Sequence, residues 1–360
     1  MPFTVALVDP HETLEYYRFG AHNYIIEFLR KYRPHIYLSR FKDLFKLRQF
    51  LRDIGSQPNH YKIHYSKNSL FECCNVLAYL NGGVHADASL FRDFPGLKIY
   101  HIMDPQYYAR ELNEFLMSTN IHYLMGYNSY DKHSDFARMM YPTFGGKILG
   151  IPFGFSSPWR MTVPFSERKD MAILSGTMET FEKVRIDKYY HAVKDYYDFF
   201  SNRFNSMHEI RYLIDRDIAN YSGFVDNQIH HWPAKDNFKK DVVAEFNKYK
   251  YFINDESLLN FCPIRTYEGI AAGCVMIAHR ASCFEEFGFV DGRNCLMFDD
   301  VNDIRKIIAR YNLDRDGLSE IQRNGIEFVV TNYSHDKIAD LIMTKIDYLW
   351  KEHTRKPILS

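Results

Sequence analysis

Short apolar runs recur along this chain of 360 residues, and stretches with helical spacing separate them. A short run that is apolar throughout is typical of a strand covered on both faces, as in a parallel sheet. Strands that alternate with helices predict an α/β fold, in which helices lie on both sides of parallel sheets. In the first half of the chain, the runs that favour strands are residues 3–8, 36–38, 75–80, 97–103, 122–125 and 147–151.

The alternation stops near Pro152, and the chain stays polar up to Asp170 before an apolar run restarts it at residues 171–174. A chain of this length fits two domains of average size better than one. We therefore expect two Rossmann-like α/β domains, residues 1–160 and residues 161–333. Their strand-end loops are expected to face each other across a cleft, because open α/β sheets bind ligands beyond the carboxyl ends of their strands.

The charge and hydropathy of the chain limit what it can bind. Lys plus Arg and Asp plus Glu number 45 each, so the formal charge is zero. Non-specific nucleic-acid binding needs an excess of positive charge and is therefore not expected. No apolar stretch is long enough to span a membrane. Only the basic residues 351–356 favour contact with lipid, so membrane association is expected to be peripheral at most.

The start of the sequence and its cysteines indicate a compartment. Met1 is not followed by a basic segment and an apolar core, so no secretory signal is expected. The six cysteines are scattered, and their spacing repeats no metal-ligand pattern. We interpret them as reduced thiols of a cytoplasmic protein, and we predict no metal site.

The segment from Pro263 to Ala278 predicts a helix, a turn and a buried strand in close succession. Pro263 suits the first helical position, and Gly273 suits the left-handed residue just after the helix. Residues 275–278 are apolar throughout and predict the strand. Glu268 lies within the helix, and its carboxylate can accept hydrogen bonds from two hydroxyls. The alternative is an ordinary glutamate near a helix start, favoured by the helix dipole.

This order of elements resembles the C-terminal, donor-binding half of the GT-B glycosyltransferases, in particular the group 1 set. The matching residues are Glu268, residues 271–273, residues 275–278, Glu286 and the turn at residues 291–294. Cys274 stands where the family has a proline, and Cys295 where it has a second turn glycine. Asn260 stands where many members carry an earlier glutamate. The pair Arg265 and Glu268 is similar to the Arg-x-x-Glu of the spore-maturation (CgeB-like) subgroup, which is the closer match.

The resemblance implies a fold and a donor site. GT-B enzymes have two Rossmann-like domains, and their final helix, here within residues 334–360, commonly crosses back to the first domain. In this family the equivalent of Glu268 holds the ribose of a nucleotide sugar. A basic residue, here Arg185 with Lys183 as the alternative, neutralises the leaving diphosphate. Asn260 is expected to hydrogen-bond a sugar hydroxyl.

Two further segments offer contacts to phosphate. Arg265 and Thr266 lie in the first turn of the predicted helix, where a guanidinium and a helix N-terminus together bind phosphate well. Gly176 follows the run at residues 171–174, and we expect its loop to bring backbone N–H groups close to phosphate. The competing interpretations are a solvated arginine and an ordinary glycine turn.

The acceptor side is less distinctive. In the family, a histidine and an aspartate often end a strand of the first domain, but here Met103 occupies the histidine position before Asp104. Asp104 is the first candidate for the base that takes the acceptor proton, and His85 and Asp87 are the alternatives. Capping of a loop or helix is the competing interpretation of each.

The sequence thus predicts a glycosyltransferase that moves a sugar from a nucleotide sugar to a hydroxyl of a glycan, a lipid-linked sugar or another acceptor. Neither a metal nor a cofactor beyond the donor is expected, since the family stabilises the departing diphosphate with a helix dipole and basic side chains. The alternatives are transfer to a modified nucleic-acid base and a non-catalytic module that binds nucleotide sugar or glycan. A dinucleotide-dependent oxidoreductase is disfavoured, because no Gly-x-Gly-x-x-Gly follows the first strand.

Overall fold

The computed structural model describes residues 3–13, 23–81, 87–102, 107–127, 136–184, 190–231 and 241–355. The chain divides into two compact units. The first comprises the described residues up to Ile151 together with those from His335 on, and the second comprises the described part of Pro152–Ser334.

The strands of the first unit form one parallel sheet. In chain order they are β1 (Val5–Val8), β2 (His35–Tyr37), β3 (Ile63–His64), β4 (Val76–Tyr79), β5 (Leu97–His101), β6 (Tyr123–Gly126) and β7 (Lys147–Gly150). Their spatial order is β3-β2-β1-β4-β5-β6-β7, and each neighbouring pair is parallel. The central strands β1, β4, β5 and β6 are buried throughout, in agreement with their predicted place inside an α/β sheet.

Helices connect these strands in the alternation that the sequence predicts. In the first unit they are α1 (Asn23–Tyr32), α2 (Leu44–Asp53), α3 (Lys67–Cys73), α4 (Ala88–Asp93), α5 (Ala109–Thr119) and α6 (Phe136–Met140). Helix α1 is described from Asn23 on, because the residues just before it lie outside the described ranges. The short edge strand β3 was not predicted, since two residues are too few for a periodic signal.

The second unit contains a smaller parallel sheet. Its described strands are β8 (Lys169–Met178), β9 (Val225–His231), β10 (Tyr249–Asn254), β11 (Val275–His279) and β12 (Leu296–Phe298). They lie in the order β12-β11-β10-β8-β9, and every neighbouring pair is parallel. Strand β9 was not predicted, because most of its residues are polar or only partly buried.

The helices of the second unit pack around that sheet. They are α7 (Phe181–Val184), α8 (Tyr190–Phe200), α9 (Glu209–Arg216), α10 (Val242–Phe246), α11 (Ile264–Ala271), α12 (Ser282–Glu286), α13 (Asp303–Leu313) and α14 (Arg315–Tyr333). One cluster of buried side chains joins the sheet to these helices and includes Tyr251, Ile277, Ile304 and Leu318. Part of the core of this unit therefore lies between β10 and β11 on one side and α13 and α14 on the other.

The final helix, α15 (His335–Arg355), belongs to the first unit and packs against α1. Lys31 lies 2.7 Å from an oxygen of Asp340, and the hydroxyl of Tyr32 donates to the same carboxylate. His335 meets the ring of Tyr24 at 6.1 Å between centroids. No helix in the described part of the chain is both long and apolar enough to cross a bilayer.

The first unit ends at Ile151, earlier than the boundary expected after residue 160. The segment that follows is held within the second unit. The N–H of Phe155 donates to the carbonyl of Tyr333 at 3.0 Å, and the Trp159 ring packs edge-on against Phe246 at 5.7 Å. These contacts explain why a polar, loop-like stretch belongs to the second unit.

Candidate functional site

The helix α11 carries the most specific part of the sequence pattern, and the structure forms it nearly as predicted. Pro263 is the residue that precedes the helix, with φ −68° and ψ 161°, rather than its first helical residue. Gly273 follows the helix in the left-handed region, with φ +91°, as the sequence predicts. The strand β11 then starts at Val275, so the helix–turn–strand prediction is confirmed.

Arg265 and Glu268 form a salt bridge within α11. They are three residues apart and therefore lie on the same helix face. The side chain of Glu268 is only 6% exposed, whereas that of Arg265 is 32% exposed. The guanidinium of Arg265 also lies 5.3 Å from the centroid of the Trp159 ring and 5.8 Å from that of Phe246. The pair is thus anchored on one side and open on the other.

This environment affects the pKa of Glu268 in two opposite ways. Burial raises the pKa of the Glu268 carboxyl, because a charged form is poorly solvated there. The nearby Arg265 guanidinium and a hydrogen bond from Trp159 oppose that rise. The arrangement therefore holds a carboxylate in a buried place where its oxygens face polar donors.

Thr266, the second predicted phosphate contact in this helix, lies in a buried environment. It is fully buried, and its N–H donates to the carbonyl of Pro263 at 3.0 Å. Its hydroxyl accepts a hydrogen bond from the side-chain amide of Asn254 at 2.8 Å. Both groups are therefore engaged within the protein, where Thr266 ties the start of α11 to the end of β10, and its contact with phosphate stays a prediction.

Gly176 also differs from its predicted setting. It lies inside β8 rather than in a loop after a strand, and it is the register partner of Ile229 in β9. Its φ is +139°, and an added Cβ would lie 2.9 Å from the guanidinium of Arg211. Glycine at this position therefore leaves room for the guanidinium of Arg211. The backbone of Gly176 is already part of the ladder between β8 and β9.

Arg211, which is not among the predicted site residues, lies at the carboxyl edge of the second sheet. It belongs to α9, is 8% exposed, and donates from its guanidinium to the carbonyl of Thr177. Its backbone N–H donates to the Asp255 carboxylate at 3.2 Å, and its Nε lies 3.8 Å from the same oxygen. The ends of β8 and β10 and the first turns of α9 thus meet at this guanidinium.

Arg211 is not electrostatically isolated. Burial lowers the pKa of its guanidinium, the charge of Asp255 opposes this, and the positive charge of Arg265 lowers the pKa further. The guanidinium of Arg265 thus lies close enough to disfavour the charge of Arg211. Such a pair of cations is a natural site for an anion that bridges them.

Asp255 directly follows β10 and is almost fully buried. Burial raises the pKa of its carboxyl to about 7, although the charge of Arg211 acts in the opposite direction. His208 places its Nδ1 3.6 Å from the Asp255 carboxylate. Burial holds the pKa of His208 well below its ordinary value, and Arg211 adds to that effect.

Glu256 and His279 form a second pair at the same edge. His279 ends β11, and its Nδ1 lies 2.8 Å from the Glu256 carboxylate. That hydrogen bond raises the pKa of His279, while burial raises the pKa of Glu256. Because the carboxyl ends of parallel strands share one edge of the sheet, both pairs face the region in which α/β sheets bind ligands.

Several buried polar atoms at this edge have no hydrogen-bond partner among the described residues. They are His208 Nδ1, Arg211 Nε, Asp255 Oδ1 and Glu256 Oε2. Protein interiors leave few such atoms, and those that occur often mark functional positions. Their concentration around the ends of β8, β10 and β11 therefore marks a candidate binding site for a polar ligand.

The other predicted residues are distributed as follows. Asp104, His85 and Arg185 lie outside the described residues. Asp87 caps α4, where its carboxylate accepts from the N–H of Leu90 at 3.0 Å and the hydroxyl of Ser89 at 2.6 Å.

Asn260 and Lys183 complete the predicted set. Asn260 lies in the loop between β10 and α11 with φ +54°, and its N–H donates to the carbonyl of Ser257 at 2.7 Å. Its backbone is in the left-handed region, which asparagine tolerates better than most residues. Lys183, the alternative to Arg185, is exposed on α7.

The site residues that were not predicted differ in how clearly the local sequence marks them. Asp255 and Glu256 directly follow a strand that is buried throughout, so their position at a strand end could have identified them. Arg211 lies in an amphipathic helix with charged neighbours, and this local sequence predicts a solvated side chain. Only the fold brings it to the end of β8.

Comparisons with known proteins agree with this description. A family model described as "Glycosyl transferase-like" matches residues 207–344, which is less than half of the chain and includes Arg211, Asp255, Arg265 and Glu268. No curated protein matches the sequence.

Two solved structures are similar in fold. HepE of Anabaena, solved in complex with UDP and glucose, has a TM-score of 0.52 at 12% identity, over 96% of this chain and 100% of that one. The sucrose-phosphate synthase of Thermosynechococcus elongatus has a TM-score of 0.50 at 11% identity, over 98% of this chain and 100% of that one. At such identities the likeness shows the fold alone. With its two parallel sheets the chain has the fold of the GT-B glycosyltransferases, and residues 207–344 match the glycosyl transferase-like family.

Proposed function

We propose that the chain is a glycosyltransferase that uses a nucleotide-sugar donor and binds that donor in its second unit. The observation that carries the proposal is the grouping of Arg211, Arg265 and Glu268 within the family-matched segment. These side chains supply two cations and a buried carboxylate, which are the groups that a nucleoside diphosphate needs. The finer assignment to the spore-maturation subgroup rests on the spacing of Arg265 and Glu268.

The two arginines suit the diphosphate. Each guanidinium presents donors in a planar fork that matches phosphate oxygens. Because Arg265 lowers the pKa of Arg211, an anion between them relieves a repulsion that the protein alone sustains. Arg185, a predicted phosphate ligand outside the described residues, would add a third cation.

Glu268 suits the ribose. A carboxylate can accept hydrogen bonds from two neighbouring hydroxyls, and the salt bridge to Arg265 fixes its position. Arg265 therefore has two roles in this proposal, since it orients Glu268 and presents its exposed side to the diphosphate. Asn260 is proposed to contact the transferred sugar.

Transfer itself requires charge stabilisation on the leaving diphosphate, and the arginines supply it without a divalent ion in this proposal. The acceptor is proposed to be a hydroxyl of a glycan or lipid-linked sugar. Of the candidate bases, Asp87 already accepts two hydrogen bonds as a helix cap, so Asp104 and His85 are the better candidates.

The proposal is tested by thermal shift and calorimetry with a panel of nucleotides and nucleotide sugars, starting with UDP and UDP-glucose. A ligand at about 100 times its dissociation constant stabilises the folded state by about 2.7 kcal/mol. We expect one nucleotide family to stabilise the protein and Glu268→Ala to abolish the effect. The matched control is Glu27→Ala, because Glu27 also pairs with an arginine three residues away, at 2.6 Å, but in the first unit.

Donor consumption with a panel of hydroxyl acceptors then distinguishes the activities. Nucleotide binding followed by transfer supports the proposal. Binding without hydrolysis or transfer with every acceptor favours the non-catalytic module instead, and the absence of binding by every nucleotide rejects the donor site itself.

A further inference from the structure

The first unit contains a cluster of metal-ligand side chains that has no part in the proposed donor site. His35 Nδ1 lies 3.0 Å from His64 Nε2 and 3.3 Å from Cys74 Sγ. These three ligand atoms all lie within 4.8 Å of one another. The sequence gives no spacing signal for such a cluster, which is why no metal site was predicted.

The parallel sheet explains how the cluster forms. Tyr37 is the register partner of His64, and His35 lies two residues before Tyr37 on β2, so both imidazoles project from the same face. Cys74 follows α3 directly and precedes β4. Each of three separate segments thus contributes one ligand atom to the cluster.

We infer that His35 Nδ1, His64 Nε2 and Cys74 Sγ form a site for a borderline-soft divalent cation, with Zn²⁺ as the best match. Tetrahedral zinc with two imidazoles and a thiolate places its nitrogens about 3.3 Å apart and nitrogen and sulfur about 3.6 Å apart. The separations of 3.0 and 3.3 Å are close to these values, and the third, between His64 Nε2 and Cys74 Sγ, is at most 4.8 Å, so side-chain rotation admits the ion.

The surroundings suit zinc better than a hard cation. The three ligands are two nitrogens and a sulfur, whereas Mg²⁺ and Ca²⁺ prefer oxygen. His64 Nδ1 lies 2.9 Å from the hydroxyl of Ser69, an outer hydrogen bond that orients the ring and leaves Nε2 directed at the centre.

Access and location indicate what the ion does. His64 and Cys74 are 1% and 4% exposed, and His35 is only partly buried, so the site opens to solvent on the His35 side. Water then takes the fourth position. The strand β3 is the edge strand of the sheet, and coordination through His64 ties it to β2 and to the end of α3. The site therefore stabilises the edge of the first unit.

The test uses the full chain, freed of metal with a chelator and then titrated with Zn²⁺ by calorimetry and with Co²⁺ by absorption spectroscopy. We expect one equivalent of either ion to bind per chain and the melting temperature to rise. Bound Co²⁺ is expected to show the strong visible bands of tetrahedral geometry and the near-ultraviolet band of a thiolate ligand.

Two cysteine variants decide between this site and adventitious binding. Cys74→Ser is expected to lose the thiolate band and at least tenfold in affinity. Cys73→Ser is the matched control, because Cys73 is adjacent in sequence but contacts Lys62 at 3.0 Å instead of the cluster. Equal binding by wild type and Cys74→Ser, or no stoichiometric binding by wild type, overturns the inference.

Two further variants test the site in case Cys74→Ser, which alters a buried residue, does not fold. His35→Ala removes a partly buried ligand, and Ser69→Ala removes only the outer hydrogen bond, which typically costs about 10-fold to 100-fold in affinity. If Cys74→Ser fails to fold, unchanged binding by His35→Ala overturns the inference, and weakened binding by both variants supports it.

Discussion

The guanidinium of Arg211 occupies the space that a side chain at Gly176 would fill. A Cβ at Gly176 would lie 2.9 Å from its central carbon and from both terminal nitrogens, and the φ of +139° is one that other residues rarely adopt. The glycine and the arginine come from β8 and α9. The absence of a side chain at one therefore determines where the charge of the other lies.

Gly176→Ala is accordingly expected to displace Arg211 and weaken nucleotide binding by at least tenfold. Backbone strain and the displaced guanidinium are expected to cost about 1–3 kcal/mol of folding free energy. Calorimetry with the nucleotide and urea denaturation measure the two effects. Gly145→Ala is the control, because a Cβ at Gly145 meets nothing within 4 Å. Wild-type affinity in Gly176→Ala would show that Arg211 does not contact the ligand.

The two residues of the Arg265–Glu268 salt bridge differ in burial, so we expect their substitutions to destabilise the fold by different amounts. Arg265→Ala leaves a buried carboxylate without its cation and is expected to cost about 2–4 kcal/mol. Glu268→Gln is expected to cost about 1 kcal/mol, because Arg265 is 32% exposed and keeps its contact with Trp159. Urea denaturation of both variants at pH 7 measures the difference.

The pH dependence of Arg265→Ala supplies an independent check. Without the guanidinium, the folded-state pKa of Glu268 rises further above its unfolded value, since burial already raises it. An acid whose pKa is raised in the folded state stabilises the fold through its bound proton. This contribution is fully present below the unfolded pKa and is lost as the pH rises through the folded pKa. The cost of Arg265→Ala is therefore expected to be smaller at pH 5 than at pH 8. A cost that does not change with pH would mean that Arg265 does not alter the protonation of Glu268 over this range.

The sequence was sufficient for most of the fold because each predicted strand is a short apolar run and each lies in a parallel sheet. It also located α11, Gly273 and β11, where proline, glycine and an apolar run act within a few residues of one another. It failed for β9, whose half-buried residues lack an apolar pattern.

The candidate site was only partly predictable, because its parts meet through tertiary contacts. Gly176 was expected to end a strand, since glycine commonly does so, and the extension of β8 along β9 is not encoded in the local sequence. Arg211 carries no local signal for its contact with Asp255. The ligand cluster of His35, His64 and Cys74 depends in the same way on strand register, which a single sequence does not specify.

Asp255 is expected to make stability depend on pH. Burial raises the pKa of its carboxyl to about 7, well above the unfolded value, so the folded state binds its proton more tightly. The stability that this proton contributes is complete below about pH 4 and is lost as the pH rises to about 7. Asp255→Asn keeps an oxygen that accepts from the N–H of Arg211 and does not titrate.

Urea denaturation at pH 5, 6, 7 and 8 compares the two proteins. The stability of Asp255→Asn relative to wild type is expected to rise with pH, by at most about 1.4 kcal/mol per pH unit. His208, Glu209 and Glu256 also face this carboxyl, but both proteins share them, so their own titration largely cancels in the difference. A difference that is constant across this range would place the Asp255 pKa near its ordinary value.

Asn247 holds the segment at Thr162 and the end of α11 together through Arg168. Its side-chain oxygen accepts from the N–H of Thr162 at 2.7 Å and from the guanidinium of Arg168 at 2.8 Å. Arg168 is 4% exposed and also donates to the carbonyl of Ala272 at 2.8 Å. Ala272 caps α11, so the buried cation lies at the negative end of the helix dipole.

Asn247→Leu keeps the size of the side chain and removes this acceptor. The N–H of Thr162 and the buried guanidinium of Arg168 then lose a partner, and the expected cost is about 2–4 kcal/mol in urea denaturation. Asn247→Asp restores the acceptor and adds a countercharge for Arg168, so it is expected to recover part of the loss. Asn220→Leu, at an exposed asparagine that bonds Asp217 at 2.6 Å, is expected to cost less than about 0.5 kcal/mol. Equal losses of stability in Asn247→Leu and Asn220→Leu would contradict this prediction. They would mean that burial does not increase the cost of removing a partner from the Arg168 guanidinium.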